Sequence, residues 1–443
     1  DRKDVIARLQ RTALVSLSWY ENARRYNVLS PKQYAFNFLS RNKGVTYENL
    51  KLRDSVYGED INHWFSDLVN KNQGFKIPID NPPPPMFTPF SIGQLTLQNR
   101  VVVAPMCQYS AKDGTPTEWQ LVHLGNFAKG GAGLVITEMT NVSSEGRISH
   151  QCTGLYRPDH IPAWRRVVDF VHKETNSKIC VQLGHAGRKA SCNIGWVDGG
   201  APLKNDKWQI LAPSSIPFSP TSEIPKEMDR SDMDKVRDDY VRSAQMAAEV
   251  GFDMIEFHGA HGYLLSSFIS PISNVRTDDY GGSLANRMRF PLEVLSAVRD
   301  VWPSQKPISV RISAEDWVGD RGNTGAEAVI IAKLFYDTGA DIIHVSAGQT
   351  SSEQKPIYGR MFQTHLSEQV RLECGIPTMA VGNITTPDQV NTILAAGRAD
   401  LVTLARPHLA NPFFTLHAAA HYNWEGQVWP NQYLRGKDQA FKE

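Results

Sequence analysis

The sequence predicts a TIM (β/α)8 barrel with an N-terminal helical extension, and three observations carry that reading. Eight short, β-branched runs recur between Val101 and Leu404, longer amphipathic stretches separate them, and polar residues gather just after the runs. The runs are Val101–Ala104, Gly133–Thr137, Lys178–Leu183, Asp253–Phe257, Ile308–Ile312, Asp341–Val345, Pro377–Val381 and Asp400–Leu404. They are too apolar to alternate, as befits parallel strands covered on both faces. The stretches between them, such as Ser231–Val250 and Asn286–Val301, have the length of the covering helices. A doubly wound sheet is the main competitor, but no G-x-G-x-x-G follows the first run.

Ahead of the barrel, residues 1–69 place aromatic and apolar side chains at helical spacing. Leu9, Leu14, Leu17 and Trp19-Tyr20 are followed by Tyr34, Phe36 and Phe38-Leu39, which predicts short helices. Residues 70–85 turn polar and end in Asn81-Pro82-Pro83-Pro84-Pro85, a pattern that predicts an extended polyproline linker. The barrel is expected over 86–443. The chain begins at Asp1, in what reads as the middle of a helix, and a fragment or processed product is expected.

Composition narrows the partners. The 443 residues carry 47 Lys and Arg against 46 Asp and Glu, a formal net charge of +1, so no global field draws the chain toward nucleic acid or an acidic membrane. There is no run of about 18 apolar residues and no secretory leader pattern. A soluble, cytoplasmic enzyme is expected. Cys107, Cys152, Cys180, Cys192 and Cys374 are odd in number and form no C-x-x-C pair, so free thiols and no metal site are expected.

In an eight-stranded barrel, catalytic groups collect at the C-terminal ends of the strands, and the polar residues here obey that placement. Cys107 and Tyr109 follow the first run, Glu138 the second, Gln182 and His185 the third, His258 and His261 the fourth. Arg311, Ser346, Gly382 and Arg406 follow the remaining four. Val381-Gly382-Asn383 and Ala405-Arg406-Pro407 lie where barrels commonly hold phosphate, with ordinary turns and a surface arginine as the alternative. Arg311 and Gln182 suit the polar edge of a flavin ring. Cys107 is open to three readings, nucleophile, redox modulator or packing, and contact with a flavin edge is preferred.

His258 and His261 are three positions apart, with Tyr263 two further on. Two buried histidines satisfied by local carbonyls, or two ligands of a metal, are alternatives, although no third ligand stands at zinc spacing. Donation to a substrate carbonyl fits better. The imidazoles would stabilise negative charge on oxygen as hydride reaches the β-carbon, and Tyr263 would protonate the α-carbon.

The stretch Ser270-Pro-Ile-Ser-Asn-Val-Arg-Thr-Asp-Asp-Tyr-Gly-Gly-Ser-Leu-Ala-Asn-Arg-Met-Arg-Phe290, together with His258-Gly-Ala-His-Gly-Tyr263, closely resembles the Old Yellow Enzyme family of FMN-dependent ene-reductases. The resemblance runs from about Met86 to Arg435 and includes Asn99-Arg100, Pro105-Met106-Cys107-Gln108-Tyr109, Gln182-Leu-Gly-His-Ala-Gly-Arg188 and Arg311-Ile-Ser-Ala314. A cysteine after Pro-Met with two histidines is similar to the thermophilic-like subclass. The resemblance implies that Pro105, Met106, Cys107, Met139, Gln182, Arg311, Gly382, Asn383, Ala405 and Arg406 surround FMN. It implies that Tyr109, His258, His261 and Tyr263 face the substrate, and that NADPH or NADH supplies hydride for an activated C=C conjugated to a carbonyl.

Tyr433-Leu-Arg435-Gly436 resembles the segment by which that subclass inserts an arginine into a neighbouring subunit's site, which implies a homo-oligomer with Arg435 at the substrate. Lys437 stands where the family usually has an aromatic, and Met139 where a smaller residue is commoner. Trp19-Tyr20-Glu21-Asn22, Gln33-Tyr34-Ala35-Phe36, Ser40-Arg41 and Asn49-Leu50-Lys51-Leu52-Arg53-Asp54 are similar to the tail of an aromatic-ring flavin monooxygenase. Fusions of that kind include 2-aminobenzoyl-CoA monooxygenase/reductase and salicylyl-CoA 5-hydroxylase, which implies an aryl-CoA substrate and a monooxygenase half upstream. Two rivals remain: a dihydrouridine synthase type of flavin barrel acting on tRNA, and a silent docking module for a monooxygenase.

Overall fold

The computed structural model describes residues 23–42 and 44–441, so Leu9, Leu14, Leu17 and Trp19-Tyr20-Glu21-Asn22 lie outside the described residues. Eight parallel strands close on themselves: β1 (Val101–Val103), β2 (Leu134–Ile136), β3 (Lys178–Gly184), β4 (Met254–Gly259), β5 (Ile308–Ser313), β6 (Ile342–Ser346), β7 (Thr378–Ala380) and β8 (Leu401–Leu404). Closure is made where Val402 to Leu404 pair with Val101 to Val103. Each of the eight runs read from the sequence holds one of these strands. The strands around the later site, β3 to β6, run one or two residues beyond their expected ends, because pairing such as Arg311 with His258 and Ser313 with Ser346 continues.

Helices α1 (Glu118–Lys129), α2 (His160–Glu174), α3 (Arg230–Val250), α4 (Leu284–Val301), α5 (Gly325–Asp337), α6 (Thr364–Cys374), α7 (Pro387–Ala395) and α8 (Phe414–His421) cover the outside. Local chemistry sets their ends. Asp229 accepts from the Asp232 N–H to start α3, and Gly251 in the left-handed region stops it.

Side chains two apart on a strand share a face, so the barrel interior is layered. Cys180, Met254, Ile342, Met379 and Leu401 form an apolar lower layer with Val102, Leu134 and Ile136. Phe90, Ile92 and Leu97 close that end from the antiparallel pair Phe90–Ile92 and Leu95–Leu97. Two residues further along, the same strands carry Gln182, Glu256 and His344. Another two residues bring His258, level with Arg311 of β5, and Ser346, level with Ser313, to the mouth.

The described part of the N-terminal extension packs on the barrel. Helices Pro31–Leu39 and Ser55–Gln73 place Phe36, Ile61, Trp64, Phe65 and Val69 against Val390, Ile393 and Leu394 of α7 and Val402 and Leu404 of β8. Fully burying side chains such as Phe36 and Ile61 stabilises by about 1.5–3 kcal/mol each. Polar contacts fix the docking angle: Asn37 Nδ2 donates to Glu368 Oε1 (2.6 Å) and to the Ala396 carbonyl (2.7 Å). The second helix runs four residues past position 69. The prolines from Pro82 to Pro85 are buried, and the next residue, Met86, donates its N–H to Asn391 Oδ1 (2.8 Å). That stretch, extended at Pro84 (φ −52°, ψ 148°), is buried against the fold.

Candidate active site

The C-terminal mouth of the barrel holds two walls of different character. On the β4 side, the His258 and His261 rings are 5.1 Å apart at 81°, and the His258 and Tyr263 rings 4.7 Å apart at 84°. His258 accepts the Ala260 N–H on Nδ1 (3.3 Å), so its proton sits on Nε2, which makes it a donor. His261 has φ 62°, donates its N–H to Ser313 Oγ (2.9 Å), and has Nε2 2.8 Å from Ser346 Oγ. The two imidazoles are therefore not equivalent: Nε2 of His261 is committed to Ser346, and its Nδ1 is the uncommitted ring nitrogen. Burial, reinforced by Arg311, holds both histidines well below the usual imidazole range, so they stay neutral donors. Burial pushes the Tyr263 phenol well up, which keeps its proton in place.

Beneath the mouth lies a buried polar layer. Glu256 accepts from Gln182 Nε2 (2.8 Å), Ser309 Oγ (3.0 Å) and His344 Nδ1 (2.9 Å). Burial alone would raise this carboxyl, but His344, Arg311 and the Gln182 amide outweigh it and hold it below the ordinary carboxylate value. The ionised Glu256 balances the Arg311 guanidinium above it.

The other wall is a cavity of about 620 Å³ lined by Arg311, Ser346, Gln363, Gly382, Asn383, Thr403, Ala405 and Arg406. Arg311 Nε, Gln363 Oε1 and Thr403 Oγ1 are buried there with no hydrogen-bond partner among the described residues. Leaving such atoms unpaired costs about 1–3 kcal/mol each. Gly382 has φ 118°, and a Cβ on it would stand 2.8 Å from Gln363 Oε1, so only glycine leaves this floor open. An arginine, polar orphans and a glycine cradle after β7 and β8 together fit a flavin with its phosphate.

Between the walls, Met139, Cys152 and Ile148 form a small cluster on which Cys107, Tyr109 and Tyr263 pack. Burial raises the Cys107 thiol well above its ordinary value, so it is a neutral thiol and not a poised thiolate. Tyr109, at φ 49°, meets Trp196 edge-on at 5.6 Å. A further cavity of about 490 Å³ opens beyond Tyr109, Tyr263, Lys189 and Phe218, roofed by the long connection between β3 and α3. Pro105 and Met106 are half-buried at the end of β1. Glu138, after β2, accepts from the Gln108 N–H (2.9 Å) and Gln120 Nε2 (3.0 Å), and burial lifts it to about 7.

Arg435 is not brought to this mouth. Its side chain is 99% exposed on a short C-terminal helix, with Asp438 as its ion-pair partner at 3.8 Å. Sequence reading passed over Glu256, Ser309, His344 and Lys189. The signal for the first three was available, since each is a polar residue two positions from a mouth residue inside an apolar strand. No strand rule exposes Lys189, which acts across loops. Among the described residues, no three His, Cys, Asp or Glu side chains converge as metal ligands.

A closed barrel with a polar, glycine-floored cavity after β7 and β8 and a neutral imidazole pair at the same mouth is the frame of a flavin-dependent barrel oxidoreductase. Residues 85–425 match the NADH:flavin oxidoreductase / NADH oxidase family. Curated relatives include an NADPH dehydrogenase of Geobacillus sp. (strain WCH70), 42% identical over 75% of this chain and 93% of that protein. An NADPH dehydrogenase of Clostridium acetobutylicum is 40% identical over 75% of this chain and 94% of its own length. Among solved structures, morphinone reductase aligns with TM-score 0.64 at 28% identity, covering 76% of this chain and 90% of that one. A complex of 2-naphthoyl-CoA reductase with 2-naphthoyl-CoA aligns with TM-score 0.67 at 25% identity over 74% of this chain, which spans about half (51%) of that longer protein. The chain belongs to the NADH:flavin oxidoreductase / NADH oxidase family, that is, to the Old Yellow Enzyme type of barrel. It is an FMN-dependent oxidoreductase that uses a nicotinamide reductant, and the family favours neither tRNA modification nor a silent docking role. Among the described residues no helix is long and apolar enough to cross a membrane.

Proposed function

We propose that His258 and His261 grip the carbonyl oxygen of an α,β-unsaturated substrate while Tyr263 supplies the proton that completes reduction of its C=C bond. The carrying observation is the convergence of three rings in which His258 Nε2 is a committed donor and the neighbouring phenol keeps its proton. Bound FMN supplies the hydride, drawn from NADPH or NADH. Arg311, Gln182, Gly382, Asn383, Ala405 and Arg406 would hold its polar edge and phosphate, with Pro105, Met106, Cys107 and Met139 against the ring. Neutral imidazoles donate an N–H to the carbonyl and do not themselves change charge in the neutral range. Tyr109 would stack on the substrate's far side.

The test is turnover of cyclohexenone with NADPH. His258→Ala and Tyr263→Phe should each lower kcat/KM about 100- to 1,000-fold with FMN content unchanged, in line with losing one oxyanion donor or a positioned acid. Wild-type rates in both variants would remove these residues from the chemistry.

A second reading concerns the substrate. The cavity framed by Tyr109, Tyr263 and Phe218, with Trp196 against Tyr109, suits a flat aromatic acyl group. An aryl-CoA thioester is proposed on that ground, and on the likeness to a reductase solved with 2-naphthoyl-CoA. We further propose that the exposed Arg435 reaches into the site of a second copy, and that the chain works beside a monooxygenase. A preference for an aryl-CoA over cyclohexenone of less than about tenfold in kcat/KM would remove the thioester reading.

A further inference from the structure

Three loops at the mouth are drawn together by one side chain that the chemistry above does not use. Lys189 ends the short helical turn Gly187–Lys189 after β3. Its Nζ donates to the His261 carbonyl (2.9 Å) on the loop after β4 and to the Gln349 carbonyl (3.1 Å) on the loop after β6. Both accepting residues are non-glycines in the left-handed region, His261 at φ 62° and Gln349 at φ 64°. Such conformations persist only where surrounding contacts over-determine them. Gly262 sits between them at φ 72°, and a Cβ there would stand 2.7 Å from the Gln349 carbonyl oxygen, so the two loops are in closest contact at the point Lys189 bridges. Arg188 draws in the same direction, donating from Nη2 to the Thr350 carbonyl (2.5 Å). The Lys189 ammonium also lies 4.2 Å from the Phe218 ring centroid and 5.2 Å from that of Tyr263.

We infer that Lys189 is a positioning residue for the reaction proposed above: it clasps the loops after β3, β4 and β6 and fixes the His261 turn, and with it the direction of the His261 and Tyr263 rings. The inference rests on the proposed roles of those rings. Charge-assisted hydrogen bonds are roughly twice as strong as neutral ones, so the clasp is tightest while the lysine is an ammonium. Burial, with the neighbouring Arg188, lowers Lys189 to about 7, and Cys192 opposes that shift. The other titratable groups facing it are His258, His261 and Tyr263 at the end of β4 and in the loop after it, Tyr109 after β1, and Asp198 and Glu223 of the connection that roofs the cavity. A lysine lowered to that value is charged below pH 7 and loses its proton above it. The clasp therefore weakens as pH rises through 7.

FMN-loaded enzyme is assayed with NADPH and cyclohexenone from pH 5.5 to 8.5. The wild type should lose roughly three- to tenfold in kcat across an alkaline limb near pH 7, the scale of about one hydrogen bond's difference. Lys189→Met should bind FMN normally, with kcat down about tenfold and no limb. Lys189→Arg, whose charge does not titrate, should abolish the limb while recovering more activity than Lys189→Met. Wild-type kcat in Lys189→Met, or a limb that survives in Lys189→Arg, would overturn the inference. The roles of the rings themselves fail separately, through wild-type rates in His258→Ala and Tyr263→Phe.

Discussion

On the β4 side of the mouth, His258 and His261 each have a ring nitrogen bonded within the protein; on the β5 to β8 side, Arg311 Nε, Gln363 Oε1 and Thr403 Oγ1 are buried without a partner. The substrate wall is thus finished by the fold itself. Its donors are aimed before any ligand arrives, which is what stabilising a developing negative charge requires. The cofactor wall is unfinished. Its polar atoms have no partner within the described fold, so binding of FMN and stability of the fold should be linked there. Glu256 joins the two, since it is bonded to Gln182 and His344 and balances Arg311 from below.

The largest break in this contrast should come from Arg311→Met. It removes the one buried guanidinium of the cofactor wall and leaves Glu256 without its balancing charge, so FMN affinity should fall about 10- to 100-fold, the scale of one hydrogen bond to a charged group. Equilibrium dialysis or flavin fluorescence on the apoprotein measures it, and unchanged affinity would detach Arg311 from the cofactor.

Acidification should weaken the substrate wall next. His258, His261 and His344 are held by burial below the imidazole value they have in the unfolded chain. Below about pH 6.5 the unfolded state therefore binds more protons than the folded one, and stability falls as pH falls, by about 1 kcal/mol per such histidine one pH unit lower. Urea unfolding at pH 7.5 and 5.5 reads this, and a flat profile would mean that the imidazoles titrate in the fold as they do in the unfolded chain. The smallest effect is expected from Ser346→Ala, which frees His261 Nε2. A loss of roughly two- to tenfold in kcat/KM for an enone, with FMN content unchanged, corresponds to one neutral hydrogen bond. Ser346 also lines the cofactor cavity, so loss of FMN in this variant would mean that its contact there outweighs its bond to His261.

The barrel was legible because its strands are apolar runs interrupted at their ends by chemistry. Gly251-Phe-Asp-Met-Ile-Glu256 followed by two histidines announces both a strand and a site. The residues proposed to hold the cofactor were legible for the same reason, with Gly382-Asn383 and Ala405-Arg406 falling after the last two strands and lining one cavity. The middle layer was read only in part: Gln182 was singled out, while Glu256, Ser309 and His344 were passed over although each stands two positions before a mouth residue. Glu256 looks like one charged residue in an apolar strand until register sets it between Gln182 and Ser309. Composition was silent on the burial of Pro82 to Pro85, because four prolines read as an extended linker whether they face water or, as here, a packed core. Contacts between distant loops, such as Lys189 with His261 and Gln349, leave no periodic trace in the chain at all.

The most direct test of the two-walled site is spectroscopic. Protein loaded with FMN is reduced without oxygen by one equivalent of NADPH, then mixed with excess cyclohexenone while flavin absorbance is followed. The absorbance should bleach with NADPH and return with the enone, yielding saturated ketone in amounts equal to the NADPH used. Bleaching followed by no return faster than in enone-free buffer would contradict the account, because a cofactor wall would then be working beside a substrate wall that is not.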